Sequence, residues 1–140
     1  GPLVAATSDR EEAHELAAGL VSIVGQNLVV LDVVMVEVDQ LLRSRFGSSV
    51  ARTFLDAIAA GFHEFAALTP ALLNRANEFD RQYADLHLGL VDATVMAYAE
   101  RHRLPILTFD FRDFRATKPR DGEWRLVIDE AGYREATSSH

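Results

Sequence analysis

The sequence is informative first for what it lacks. It contains no cysteine, which excludes disulfide bonds and thiolate metal sites. Of its 14 basic residues only Lys118 is a lysine, and the net charge is −7. Proteins that bind nucleic acid through their overall charge are usually basic, so this composition argues against a constitutive nucleic-acid binder. It does not exclude an enzyme that acts on RNA through metal ions, and it suits a partner that carries basic residues.

Several common sequence signals are also missing. No apolar run is long enough to cross a membrane, and no signal-peptide pattern is visible. There is no phosphate-binding glycine loop, no HExxH zinc motif and no nucleophile elbow. The excess of arginine suggests a GC-rich bacterial genome, and the absence of cysteine fits a reducing cytoplasm. We expect one domain over residues 1–132 and a mobile tail over 133–140.

Short apolar runs alternate with amphipathic stretches along the chain. This alternation predicts an α/β fold in which helices sandwich a mostly parallel sheet. We expect strands at 28–31, 62–68, 105–109 and 124–128. We expect helices at 9–24, 33–45, 48–60, 70–83 and 90–102, and a polar loop, with at most a short helical turn, at 110–122.

Four acids stand at the edges of apolar elements, where burial is costly unless a cation or another partner compensates the charge. Asp110 follows a predicted strand, and ligands gather at the carboxyl ends of parallel strands. Asp92 opens an amphipathic helix, Glu37 lies within a valine-rich helix, and Asp113 follows Asp110 closely. Together they are candidates for a site that holds one or two Mg²⁺ or Mn²⁺ ions through oxygen ligands.

Each acid taken alone also has an ordinary structural interpretation. Asp110 or Asp113 could simply lie in a solvated turn. Asp92 could stabilise the helix dipole, and Glu37 could face solvent. A basic run beside Asp110 either binds RNA phosphates or forms a solvated charged loop; its members are Arg112, Arg115, Lys118 and Arg120.

The order of these short motifs resembles that of PIN-domain ribonucleases, above all VapC-type toxins of bacterial toxin–antitoxin modules. The resemblance rests on the opening Gly1-to-Ala6 segment, on Glu37, on the Leu88-to-Ala93 run and on the Ile106-to-Asp110 run with Asp113. It covers nearly the whole chain. Each motif is loose, but their combined order is fairly specific.

The resemblance implies an Mg²⁺- or Mn²⁺-dependent endoribonuclease that cleaves tRNA or ribosomal RNA. The metal-binding acids of the family match Glu37, Asp92 and Asp110, while Asp113 matches a less constant acid and Thr108 a supporting hydroxyl. RNA contacts would come from Arg112 and Arg115. The resemblance also implies homodimers, or hetero-oligomers in which a VapB-type antitoxin lies across the site.

The chain departs from the family pattern at its beginning. The first acid of the family lies on a central first strand shortly before Gly-Pro-Leu, and neither that strand nor that acid is present here; Gly1-Pro2 is alternatively the remnant of a cleaved tag. We therefore expect the central strand to be missing from the sheet, with weakened folding and metal binding. Asp9 and Asp32 are poor substitutes for the absent acid.

Two other functions compete with the nuclease. One is a truncated or degenerate PIN domain that binds antitoxin without catalysis, which the absent first acid favours. The other is a receiver-type signalling domain, which needs an acidic pair after its first strand and a late lysine. The only lysine, Lys118, follows a polar loop, so the sequence disfavours the receiver.

Overall fold

A computed structural model of the chain describes residues 3–6, 28–61, 63–107 and 112–126. Its strands are Leu3–Ala5 (β1), Leu28–Leu31 (β2), Glu64–Ala66 (β3) and Ile106–Leu107 (β4). Its helices are Asp32–Phe46 (α1), Ser48–Ala59 (α2), Pro70–Gln82 (α3), Gly89–His102 (α4) and Arg112–Ala116 (α5), and a 3₁₀ turn spans Ala84–Leu86.

The four strands form one parallel sheet in the order β3-β2-β1-β4. Beyond β4, Leu126 forms a parallel bridge with Ile106, whose amide donates to the carbonyl of Arg125 at 2.8 Å. Because all strands run in one direction, their carboxyl ends lie along one edge of the sheet. In α/β proteins this edge is where ligands usually bind.

The centre of the sheet is occupied, which corrects the expectation of a missing central strand. Leu3 and Val4 pair with Leu28 and Val29 of β2, while Val4 and Ala5 pair with the two residues of β4. Without a strand at this position, the backbone N–H and C=O groups of β2 and β4 that face each other would lack hydrogen-bond partners. The apolar segment Leu3–Ala5 provides those partners. The strand ends in Ala5 and Ala6, so it brings no acid to the carboxyl edge.

Helix α4 is the most deeply buried helix of the described chain. Every residue from Asp92 to Ala99 is buried, and the helix packs mainly against α3. Helix α3 begins at a Thr69 cap, whose hydroxyl accepts from the Leu72 amide at 3.2 Å, with Pro70 in the first turn. Its Phe79 is fully buried against Trp124, the only tryptophan. The Asp92 end of α4 is therefore held on a rigid element.

Most of the predicted elements are confirmed within a few residues. Helix α5 occupies part of the segment predicted as a polar loop, where a short helical turn was allowed. The predicted strand 124–128 is represented by the bridge at Leu126. The predicted helix 9–24 and the tail 133–140 lie outside the described residues. In the part of the chain that the structure describes, no helix is long and apolar enough to span a membrane.

Asp32 ties the carboxyl end of β2 to the segment that follows β3. Its Oδ1 accepts from the Val33 amide at 2.8 Å, and both carboxylate oxygens accept from the Leu68 amide, at 3.2 and 3.1 Å. These hydrogen bonds give Asp32 a structural role at the carboxyl end of β2.

We expect Asp32→Ala to lower the free energy of unfolding by about 1–2 kcal/mol, because the half-buried Leu68 amide loses its acceptor. Urea denaturation measures the change. Asp32→Asn keeps an acceptor oxygen and should recover part of the loss. Asp39→Ala, which removes only an i,i+4 pair with Arg43, is the control and should cost less than about 0.5 kcal/mol. Equal losses in the alanine variants would contradict this role.

Candidate active site

Asp92 lies in the first turn of α4 and is only 4% exposed. The helix begins at Gly89, which has φ +78°, a backbone conformation that residues with a side chain rarely adopt. The Leu88-to-Asp92 run thus has a local reason for its glycine: the turn at Gly89 starts the helix that carries the acid. An acid that only stabilises a helix dipole would lie in solvent, so burial argues against that simpler interpretation.

Glu37 lies in the second turn of α1, which begins directly after β2. It is half-buried and lines a cleft of about 460 Å³ whose other walls are Asp32, Val33, Val36, Gln40 and Val91. Val91 immediately precedes Asp92, so the cleft joins α1 to the beginning of α4. One carboxylate oxygen of Glu37 and one of Asp92 are shielded from solvent. The structure therefore places these two predicted acids on neighbouring helices at the carboxyl edge of the sheet.

Helix α5 carries the remaining predicted residues that the structure describes. Asp113 is buried, at 8% exposure, and its Oδ1 lies 3.9 Å from Nε of the exposed Arg112. Arg115 is exposed on the same helix. The Thr117 hydroxyl donates to the Asp113 carbonyl at 2.8 Å and accepts from the Trp124 indole at 3.0 Å. Through Trp124 the helix is attached to the core.

Asp110 and Thr108 lie outside the described residues. In the sequence they follow β4 directly, and β4 ends at the same edge as β1 and β2. Within the described ranges, no three histidine, aspartate or glutamate side chains come close enough together to hold a metal ion. Asp113 therefore does not complete a described triad with Glu37 and Asp92, and the metal-ligand assignments remain predictions.

The donor set is nevertheless of the right kind for a hard cation. Glu37 and Asp92 offer only carboxylate oxygens, and Asp110 would add another. Oxygen donors suit Mg²⁺ and Mn²⁺, whereas zinc sites usually include cysteine or histidine. Two shielded carboxylate oxygens are also costly to keep charged without a cation or another compensating group. The residue types thus fit a divalent metal.

Comparisons with known proteins identify the family. The model of the PIN domain family matches residues 2–118 of this chain. The chain therefore belongs to the PIN-domain family.

Within that family its relatives are of the VapC type. The chain is 31% identical over 119 residues to "Ribonuclease VapC26" of Mycobacterium tuberculosis, covering 84% of this chain and 88% of the relative. Its fold is similar to that of M. tuberculosis VapC20, described as a "Sarcin-Ricin loop cleaving toxin" (TM-score 0.67, 22% identity, 81% and 93% of the two chains). It also resembles a toxin–antitoxin complex from Klebsiella pneumoniae (TM-score 0.60, 16% identity, 88% and 98%).

Sequence reasoning missed the residues that support the site. The double use of Asp32 by two amides was not anticipated, although an acid between an apolar strand and a helix is a usable signal for a cap. The Trp124–Thr117 hydrogen bond was also missed. No local sequence pattern predicts this hydrogen bond, because the donor and the acceptor come together only in the folded chain.

Proposed function

We propose that this protein is a metal-dependent endoribonuclease toxin that cleaves tRNA or ribosomal RNA and is neutralised by a cognate antitoxin. The observation that carries the proposal is the placement of Glu37 and Asp92, each with one shielded carboxylate oxygen, on neighbouring helices at the carboxyl edge of a parallel sheet, where Glu37 and Val91 line a cleft. The VapC-type relatives support the toxin assignment.

In this proposal Glu37, Asp92 and Asp110 hold one or two Mg²⁺ or Mn²⁺ ions. When bound, such ions activate water and stabilise the leaving oxygen of a phosphodiester bond. Burial of Asp92 on a rigid helix fixes the direction of its carboxylate. Arg112 and Arg115 are exposed on α5 and would bind phosphates beside the site, next to Asp113.

We propose a VapB-type antitoxin as the protein partner, within homodimers or toxin–antitoxin hetero-oligomers in the bacterial cytoplasm. The similarity to a toxin–antitoxin complex supports this partner. The net charge of −7 and the acids at the cleft would favour a basic side chain of the antitoxin. Such a side chain would compensate the same acids that otherwise bind the metal, which gives a physical reason for inhibition.

The proposal is tested by incubating the purified chain with labelled tRNA and ribosomal RNA fragments in Mg²⁺, in Mn²⁺ and with a chelator. We expect cleavage that needs a divalent ion and stops when the chelator is added. Asp110→Asn serves as the active-site control and should remove the activity. Cleavage that persists in the chelator, or in the variant, would contradict the assigned metal site.

Glu37→Gln should raise the Mg²⁺ concentration needed for half-maximal cleavage, by roughly 10-fold or more, because a neutral amide is a weaker ligand than a carboxylate. Binding of Mn²⁺, followed by calorimetry, should weaken in parallel without any RNA present. Asp80→Asn, a change of an exposed acid on α3, is the control. An unchanged metal dependence would remove Glu37 from the ligand set.

One observation favours the second candidate, an antitoxin-binding module without catalysis. The central strand ends in the buried alanines Ala5 and Ala6, so no carboxylate from β1 reaches the carboxyl edge. Extending the chain upstream by a strand that ends in aspartate discriminates the two candidates. Cleavage gained only in the extended chain would identify the 140-residue chain as the binding form. Absence of cleavage in both, with antitoxin binding intact, would favour a purely binding function.

A further inference from the structure

A second groove, which we call the arginine groove, lies at the far end of α4 from Asp92. Its volume is about 850 Å³, and its walls are the beginning of α3, the end of α4 and the segment 119–125. Five arginines line it, against three acids; the arginines are Arg75, Arg101, Arg103, Arg120 and Arg125, and the acids are Glu100, Asp121 and Glu123. A local excess of positive charge is notable in a chain of net charge −7.

The most buried of the three acids, Glu100, already accepts hydrogen bonds from within the protein. Glu100 accepts both arms of the Arg75 guanidinium, at 2.7 and 2.9 Å, and also accepts from the Arg120 amide at 2.8 Å. By contrast, Arg101, Arg103 and Arg125 are exposed, and within the described residues none of them forms an ion pair. Arg125 donates only to the Arg103 carbonyl, which keeps these two residues together. Within the described residues, the remaining N–H groups of these arginines are available to an anionic ligand.

The backbone at Arg103 supplies a separate indication. Arg103 adopts a left-handed conformation, with φ +54°, where it ends α4. The Leu104 amide donates to the Ala99 carbonyl and the Arg103 amide to that of Glu100, a helix ending in which glycine is the usual residue. A side chain at this position carries a conformational cost, so stability alone would favour glycine. The fold thus accepts a conformational cost at the position that places this guanidinium in the wall of the groove.

We propose that the arginine groove binds backbone phosphates of an RNA substrate at a distance from the cleavage site. Arginine forks match phosphate oxygens geometrically, and a planar guanidinium remains charged at any physiological pH. Asp92 and Arg101 are nine residues apart on one helix, a rise of about 14 Å, so the groove lies at the other end of α4 from the acids. The inference rests on the proposed function for its ligand class. It explains how an acidic protein would gain affinity for RNA.

The test measures RNA binding separately from cleavage. The probe is a fluorescein-labelled RNA hairpin, titrated with the full chain in a chelator so that no cleavage occurs, at several salt concentrations. For Arg101→Ala combined with Arg103→Gly we expect the Kd to rise about tenfold. The slope of log K against log salt should become shallower by about 0.7 for each phosphate that the variant no longer neutralises. Arg52→Ala, an exposed arginine of α2, is the control and should leave both values unchanged.

Thermal melts exclude a structural explanation. Alanine is the best helix former and glycine relieves the strained position, so the double variant should melt at or above the wild-type temperature while binding RNA more weakly. Unchanged RNA affinity would overturn the inference. A double variant that still binds RNA but no longer binds an acidic peptide would also overturn the inference. That result would assign the groove to a protein partner. If the chain cleaves no RNA but binds RNA in a way that depends on these arginines, the proposed ribonuclease function is wrong and the inference about the arginine groove stands.

Discussion

Asp92→Asn is expected to lower metal-dependent RNA cleavage by at least about 100-fold while the chain stays folded. Asparagine has the shape of aspartate but lacks the charge that a divalent ion needs. Asp92 is 4% exposed and lies in the first turn of the most deeply buried helix that the structure describes. The loss should appear in kcat/KM under single-turnover conditions, which separate chemistry from product release.

The same substitution should leave the melting temperature of the metal-free protein unchanged or raise it. We expect the acids of a metal site to repel one another when no cation is bound, and the neutral amide removes one of those charges. Added Mn²⁺ should then stabilise the wild type more than the variant, since binding to the folded state alone raises stability. Asp85→Asn, at an exposed acid in the 3₁₀ turn, is the control. Full cleavage activity in Asp92→Asn would refute the assigned role.

Local patterns were sufficient for much of the fold and for part of the site. The strand at Leu28–Leu31 and the helix at Pro70–Gln82 follow from an apolar run and from a Thr-Pro cap, which are signals within a few residues of the element. Asp92 and Glu37 were predicted as site residues because an acid in an apolar stretch needs a compensating group. Both were placed at the expected edge of the sheet.

Features that depend on tertiary structure were not predictable in this way. The central position of Leu3–Ala5 depends on its pairing with β2 on one side and β4 on the other, and both of these strands lie far away in the sequence. The pairing of Arg75 with Glu100 joins residues 25 positions apart, and neither residue has an unusual local environment in the sequence. The arginine groove similarly arises from three separate segments that meet only in the folded chain.

The Arg75–Glu100 pair should account for the largest stability effect of any charged residue discussed above. Besides Glu100, Arg75 donates to Glu78 at 2.8 Å, and its guanidinium lies 4.0 Å above the Phe79 ring. The two paired side chains are only 19% and 15% exposed. We expect Arg75→Ala to cost about 2–3 kcal/mol, between the values for exposed and fully buried pairs, because it leaves a shielded carboxylate without its cation. Arg75→Lys keeps the charge but not the bidentate geometry, and should lose less.

The pH dependence identifies this pair as the cause. Burial acts to raise the pKa of Glu100, but the hydrogen bonds from Arg75 and from the Arg120 amide, with the charges of both arginines, outweigh it and hold the pKa below the ordinary value of 4.5. A carboxyl group with a lowered pKa in the folded state stabilises the protein above the unfolded pKa, and this contribution is lost as the pH falls through the folded pKa. The difference in unfolding free energy between the wild type and Glu100→Gln, measured by urea denaturation, should therefore be constant near neutral pH and shrink below about pH 4.5. A difference that stayed constant into acid would mean that the amide disrupts packing, and that the ion pair itself contributes little.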